Sequence, residues 1–169
     1  MTDLTVRGER PEDIGDIFDI TELAFRGRPY AGGDEQDLVN RLRDTNALAL
    51  SLVAEIGGCV VGQITFSLAS NSDESGPWFA LGPVSVIPEL QNEGIGSALI
   101  NRGLAEIRDR GALGCILTGN PDYYQRFGFK LCPANVPAEE SAEFFQLKIL
   151  CASSTSGMFE FHPAFYQED

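Results

Sequence analysis

The chain is short of most residue types that mark the common catalytic chemistries. It has one histidine, His162, and four cysteines, Cys59, Cys115, Cys132 and Cys151. The thiols are scattered and form no C-x-x-C pair, so neither a metal centre nor a disulfide framework is expected. They read instead as reduced core residues, because a free cysteine behaves as a small hydrophobe. His162 stands before Pro163 near the C-terminus and reads as structural. No Ser/His/Asp or Cys/His grouping has supporting context, which disfavours hydrolytic mechanisms. Positive charge is also scarce: 12 Lys and Arg face 25 Asp and Glu, for a net charge of −13. A chain so acidic lacks the basic face that phosphate neutralisation needs, which argues against a nucleic-acid partner. The same field attracts cations and is compatible with an amine-bearing partner. No run approaches the ~20 apolar residues of a membrane span. Met1-Thr2-Asp3-Leu4 opens with an acid and lacks the apolar core of a leader. The expectation is therefore a cytoplasmic protein with no membrane partner, a monomer or homodimer. With no internal repeat and no long linker, its 169 residues read as one domain, 1–169.

What the chain does have is concentrated between Trp78 and Phe129. Phe79-Ala80-Leu81-Gly82-Pro83-Val84-Ser85-Val86 has the β-branched and aromatic content of a buried strand. From Ile95 to Arg110, residues Ile95, Ala98, Leu99, Gly103, Leu104 and Ile107 fall on one helical stripe, with Asn101, Arg102, Glu106 and Arg108 mostly opposite. Gly114 to Thr118 is a second apolar strand, giving a strand, helix, strand unit with parallel strands and a right-handed crossover. At its first junction stands Gln91-Asn92-Glu93-Gly94-Ile95-Gly96. The first turn of a helix has N–H groups without intrahelical partners, and the macrodipole adds positive charge there. Glycine at 94 and 96 lets an anion reach those donors; the plainer reading is a tight turn entering a helix. Pro83 removes a ladder donor, so the strand is expected to break its pairing there and splay from its parallel neighbour. A cleft between the C-terminal ends of parallel strands is where ligands bind. Beyond the second strand, Asn120 to Phe129 reads as a short helix ending at Gly128 and carrying Tyr123 and Tyr124.

Taken in order, Val84-Ser85-Val86-Ile87-Pro88, then Gln91-x-x-Gly94-x-Gly96 entering a helix, then a strand and Tyr124-x-x-x-Gly128-Phe129, resemble the GNAT superfamily of acyl-CoA-dependent N-acetyltransferases. The specific motifs cover residues 78 to 129, and the order of elements elsewhere is compatible. The resemblance implies an α/β (α+β) fold with one mixed sheet, antiparallel N-terminal strands and a splayed parallel central pair, flanked by helices. It implies acetyl-CoA as co-substrate and an amine as acceptor. Backbone N–H groups of Gln91, Asn92, Glu93, Gly94, Ile95, Gly96 and Ser97 are then expected to hold the pyrophosphate of coenzyme A. Val84, Ser85 and Val86 are expected to hydrogen-bond the pantetheine arm like an added strand. Tyr124 falls where many members keep a tyrosine that protonates the departing thiolate. Asn120 and Arg126 are further candidate cofactor contacts; Arg126, Lys130 and Arg102 are the nearest basic candidates for an outer phosphate.

The rest of the chain fits around this centre. Leu4 to Gly8 reads as a strand. Pro11 opens a helix running to about Phe25, with Ile14, Ile17, Phe18, Thr21 and Phe25 inward. Arg26 to Gly33 reads as a mobile loop, and Asp34 to Thr45 as a second helix with Leu38, Val39 and Leu42 inward. In the resembled family these two helices wall the acceptor pocket. Ala47 to Ile56 and Cys59 to Ser70 form a hairpin about Gly57-Gly58. Phe144 to Leu150 is a late strand, Met158 to Phe161 an edge strand, and Phe161, Phe165 and Tyr166 an aromatic tail packed on the domain or on a second copy.

Acetyl transfer to an amine needs a deprotonated nucleophile, a polarised carbonyl and a protonated leaving sulfur. Backbone N–H groups near Gly82 to Val84 could polarise the carbonyl. Glu35, Glu22, Asp37 or a water relay could act as base. Two other readings compete: a non-catalytic acyl-CoA-binding or sensing module, and a dinucleotide-binding oxidoreductase. Leu99 at the third glycine position of G-x-G-x-x-G counts against the oxidoreductase.

Overall fold

A computed structural model describes residues 3–29 and 31–167. Met1, Thr2, Tyr30, Glu168 and Asp169 lie outside the described residues, and with them the first two residues of the acidic opening and the middle of the loop expected to be mobile. The chain divides into two units, Met1–Phe66 with Gly82–Gly103, and Ser67–Leu81 with Leu104–Asp169.

In the first unit β1 (Leu4–Gly8) lies antiparallel to β2 (Leu48–Ile56), with Leu4 opposite Ile56 and Gly8 opposite Leu52. The chain leaves β1 through a helical turn, Pro11–Asp13, into α1 (Ile14–Phe25). Asp13 fixes this entry. Its carboxylate accepts from Arg10 N at 2.7 Å and from both terminal nitrogens of Arg7 at 2.7 and 3.1 Å. The Arg7 guanidinium holds this buried carboxyl below its ordinary pKa, against the opposing cost of burial. Helix α1 buries Ile17, Ile20, Thr21 and Ala24, whereas Ile14, Phe18 and Phe25 are only half-buried. The inner stripe is thus rotated from the expected one, with the bulky aromatics at its margins.

Helix α2 (Glu35–Asp44) buries Gln36, Val39 and Leu42; Leu38, expected inward, is half-buried. Strands β2 (Leu48–Ile56) and β3 (Cys59–Asn71) meet at Gly57-Gly58, both with positive φ (58° and 83°), as the hairpin required. Ile17, Val39 and Val53 cluster with Val60 and join α1 and α2 to the sheet. Strand β4 (Trp78–Val86) follows, and then α3 (Ile95–Asp109). Along α3, Ile100 is fully buried beside the expected Leu99 and Ile107, while Ala98 is half-buried. Gly103 of α3 lies against the ring of Phe66, and a Cβ there would overlap that ring.

In the second unit β4 pairs in parallel with β5 (Gly114–Thr118) over three positions only, Trp78↔Gly114 to Ala80↔Ile116. The ladder stops just before Gly82-Pro83, where the proline predicted a break. Helix α4 (Pro121–Tyr124) continues as a tighter turn to Phe127, and Gly128 ends it at φ 92°. A two-residue strand the sequence did not suggest, β6 (Lys130–Leu131), pairs with β7 (Phe145–Ile149), which lies antiparallel to β5 throughout. Strand β8 (Phe159–Glu160) pairs with the end of β3. Trp78, Ala80, Ile116, Phe145, Leu147, Phe159 and Phe161 form this unit's core, with Phe165 packed against it. Trp78 meets Phe159 edge-on at 4.8 Å. The eight strands are mostly antiparallel with one parallel pair, and helices flank them.

The cysteines depart from expectation. Only Cys115 is a core residue; Cys59 and Cys151 are exposed, Cys132 is half-buried, and all four are free thiols. Cys59 directly follows the Gly57-Gly58 turn and Cys151 directly follows the turn out of β7, where apolar runs reach the surface. Among the described residues no helix is long and apolar enough to cross a membrane, and no group of three or more His, Cys, Asp or Glu could hold a metal ion.

Candidate active site

In the first unit the chain leaves β4 at Val86, makes a helical turn over Pro88–Leu90, and enters α3 at Ile95. Gln91 anchors the connection: its Nε2 donates to Val86 O at 3.1 Å and its Oε1 accepts from Arg28 at 3.0 Å. Asn92 (φ 65°) and Gly94 (φ 89°) both adopt left-handed backbone. Apart from its two chain neighbours, no residue comes within 4 Å of where a Cβ on Gly94 would stand. Asn92, Glu93 and Gly94 are exposed, and Ala98 N bonds Gly94 O at 3.0 Å, starting the helical ladder. The N–H groups of Ile95, Gly96 and Ser97 thus belong to the first turn of a 15-residue helix and have no intrahelical acceptor. Left-handed residues alternating into a helix N-terminus make an anion-binding concavity of main-chain donors. This turn offers an anion several main-chain donors.

The strand leading into the turn is held from inside by side chains the sequence reading did not single out. Gln63, fully buried on β3, donates through Nε2 to Pro83 O at 3.2 Å and to Ser85 Oγ at 2.8 Å. Ser85 Oγ donates to Thr21 Oγ1 at 3.3 Å, and Thr21 Oγ1 to Ile17 O at 2.7 Å. Thr65 Oγ1 donates to Gln63 Oε1 at 3.0 Å. Each bond in this chain has a donor and an acceptor, which fixes the orientation of the Gln63 amide. Ser85 is thus occupied inward, while Val84 is half-buried and Val86 buried. Any polar contact of Val84 to Val86 with a ligand would fall to their main chain.

The first unit also holds a cavity of about 320 Å³ between α1 and α2, lined by Glu22, Phe25, Arg26, Arg28, Glu35 and Gln36 among others. Of the three acids expected as candidate bases, Glu22 and Glu35 line it and Asp37 does not. Glu22 is bonded to Arg26 at 2.6 Å. The Glu35 carboxylate accepts from Gly32 N at 2.7 Å and Gly33 N at 3.1 Å, closing the loop that precedes its helix.

In the second unit Tyr124 is half-buried in an aromatic group: Tyr123 at 4.9 Å and Phe129 at 6.0 Å meet it edge-on, and Phe127 lies at 6.4 Å. Tyr123 is therefore its immediate neighbour. Gly119 seats the ring, since a Cβ there would stand 2.8 Å from Tyr124 Cε2. That glycine was legible only as the residue before Asn120-Pro121. The Asn120 side chain caps α4, its Oδ1 accepting from Asp122 N at 2.9 Å. Arg126 folds back on Tyr123, donating to its carbonyl at 2.8 Å with the guanidinium 4.6 Å from the ring centre. Lys130 is exposed at the start of β6. Arg102, in the first unit, donates to Val6 O at 3.3 Å, towards β1. His162 caps the C-terminal turn, Nδ1 accepting from Ala164 N at 3.0 Å, which is a structural role.

Residues 16–129 match the model of the acetyltransferase (GNAT) family. Among curated proteins the chain is similar to the uncharacterised N-acetyltransferase YjhQ of Escherichia coli K12, 36% identical over 142 residues, 77% of each chain. It is also similar to YhbS of the same organism, another uncharacterised N-acetyltransferase, 30% identical over 171 positions, 96% of this chain and 98% of that one. Among solved structures, a GNAT family acetyltransferase from Brucella melitensis in complex with acetyl-CoA superposes with a TM-score of 0.85 at 42% identity, covering 96% of this chain and 98% of the other. YhbS in complex with CoA superposes with a TM-score of 0.89 at 26% identity, covering 99% and 94%.

Proposed function

The chain belongs to the acetyltransferase (GNAT) family, and from that premise we propose that it moves an acetyl group from acetyl-CoA to the primary amine of a small molecule, by direct attack in a ternary complex. Membership makes it an N-acetyltransferase with acetyl-CoA as co-substrate. The observation that carries the site assignment is the turn at 91–97, two left-handed residues opening a long helix. Its main-chain donors, from Gln91 to Ser97, hold the diphosphate. Val84 to Val86, the edge of β4 beyond its short ladder with β5, hold the pantetheine arm through their backbone. Main-chain N–H groups beside Gly82 to Val84 polarise the thioester carbonyl, and Tyr124 donates a proton to the leaving sulfur. The α1/α2 cavity, about 320 Å³ and within the range of small-ligand sites, receives the amine. Its acids Glu22 and Glu35 favour a cationic group and are the candidates to take the amine's proton. Four free thiols suit a reducing compartment, the cytoplasm.

The test is release of free thiol from acetyl-CoA across a panel of small amines. Tyr124→Phe should lower kcat by about a hundredfold, the lower range for general acid catalysis, while leaving acetyl-CoA affinity unchanged. Gly94→Glu should abolish stabilisation by acetyl-CoA, about 2.7 kcal/mol at 100 times the dissociation constant. Unchanged turnover in Tyr124→Phe removes that residue from its role. Full stabilisation of Gly94→Glu removes the turn from its own.

A further inference from the structure

Coenzyme A carries several negative charges, and the chain that binds it is strongly acidic, so the few cations near the phosphate turn matter. In the first unit the arginines are largely committed. Arg7 is held on Asp13 and Glu55, Arg26 on Glu22, Arg41 on Asp34 and Arg43 on Glu9. Arg102 is bonded to the Val6 carbonyl. Arg28 differs from the four ion-paired arginines. It is exposed, and its contact is not with a carboxylate but with a neutral amide, the Oε1 of Gln91 at 3.0 Å. Gln91 is the first residue of the phosphate turn, and its other amide atom is fixed on Val86 O. Arg28 thus reaches from the loop after α1, across 63 positions of sequence, to the edge of the anion seat. The same side chain lines the α1/α2 cavity.

We infer that Arg28 is a binding residue for the diphosphate of coenzyme A, a cation supplied to the Gln91–Ser97 turn by the acceptor-side loop. The turn offers main-chain dipoles and no full positive charge of its own. A guanidinium resting on a neutral amide gives up little when an anion arrives, because no ion pair has to be broken first. Both Glu22 and Glu35, the acids of the same cavity, already accept hydrogen bonds from Arg26 and from the Gly32 and Gly33 amides. Neither is bonded to Arg28.

This inference rests on reading the 91–97 turn as the diphosphate seat, and the test separates the two. Dissociation constants are measured by calorimetry for CoA and for pantetheine, which lacks the diphosphate, on the wild type, Arg28→Ala and Arg28→Gln. The glutamine keeps a donor for Gln91 and removes the charge. Both variants should bind CoA about tenfold more weakly, with a shallower salt dependence, while pantetheine affinity is unchanged. CoA affinity retained in either variant overturns the role of Arg28 and leaves the transferase reading standing. An equal loss for CoA and pantetheine also overturns it, since the residue then acts by shaping the loop. A wild type that binds pantetheine and CoA equally overturns both readings.

Discussion

Replacing Gln63 by methionine tests the interior support of β4. The change conserves volume in a site with no exposure to solvent and removes three hydrogen bonds: Nε2 to Pro83 O, Nε2 to Ser85 Oγ, and Thr65 Oγ1 to Oε1. At ~1 kcal/mol net for each bond, the loss is about 3 kcal/mol. Buried Pro83 O and Thr65 Oγ1 lose partners, which adds to the cost, while the new apolar side chain offsets part of it. An expected destabilisation of about 3 kcal/mol is a large share of the ~5–15 kcal/mol that holds a domain together. At ~2–4 °C per kcal/mol for a chain of this size, the melting temperature should fall by about 6–12 °C. Urea unfolding should show a lower midpoint with unchanged slope. The double variant with Ser85→Ala should cost less than the sum of the two, by about 1 kcal/mol or more, because the pair shares one hydrogen bond. A loss below about 1 kcal/mol, or strict additivity, refutes the network as the support of β4.

Other consequences can be checked separately. Gly103→Ala places a methyl group in the space of the buried Phe66 ring and should destabilise by about 2 kcal/mol through overpacking; circular dichroism melting reads it. Labelling with a thiol reagent should modify Cys59 and Cys151 fast and Cys132 more slowly, with Cys115 reacting only on unfolding. Burial pushes the Cys115 thiol well up from its ordinary value, which favours that order. Because the folded-state pKa of Asp13 is depressed by Arg7, its stabilisation is full above the unfolded carboxylate value near ~4 and is lost as pH falls through the lower folded value. Asp13→Asn should therefore be less stable at neutral pH and should unfold with a weaker dependence on acid.

The parts of this protein that were legible in its sequence are those in which the backbone sets the geometry. A left-handed turn opening a helix writes itself as glycine, so the 91–97 segment could be read, and a ladder that stops writes itself as Gly82-Pro83. Side chains that act inside a strand leave no such mark. Strand β3 is buried continuously from Val61 to Ser67, so the period of two that would separate its faces is erased, and Gln63 and Thr65 pass as ordinary members of an apolar run. Helix α1 was misread for a related reason: Phe18 and Phe25 weigh more than Ala24 on any hydrophobicity scale, yet the small residue is buried and the aromatics sit at the margin. Arg28 lies in a loop, where no periodicity exists to flag it.

The same division explains which positions at the end of β4 can change. Pro83 O and the Ser85 hydroxyl are both taken inward by Gln63, and Ser85 in turn supports Thr21 on α1. A ligand on this edge, as proposed, would find main-chain groups as its polar partners, which every amino acid supplies. Val84, half-buried and outside this hydrogen-bond chain, should accept isoleucine or threonine with little loss of acetyl-CoA affinity. Ser85→Val, nearly the same size, leaves the Gln63 amide with one acceptor and Thr21 without its donor. If the strand binds through its backbone and is held by its interior, Ser85→Val should lower both stability and acetyl-CoA affinity, and Val84→Thr neither. The reverse order would mean that a side chain at 84 reads the ligand directly.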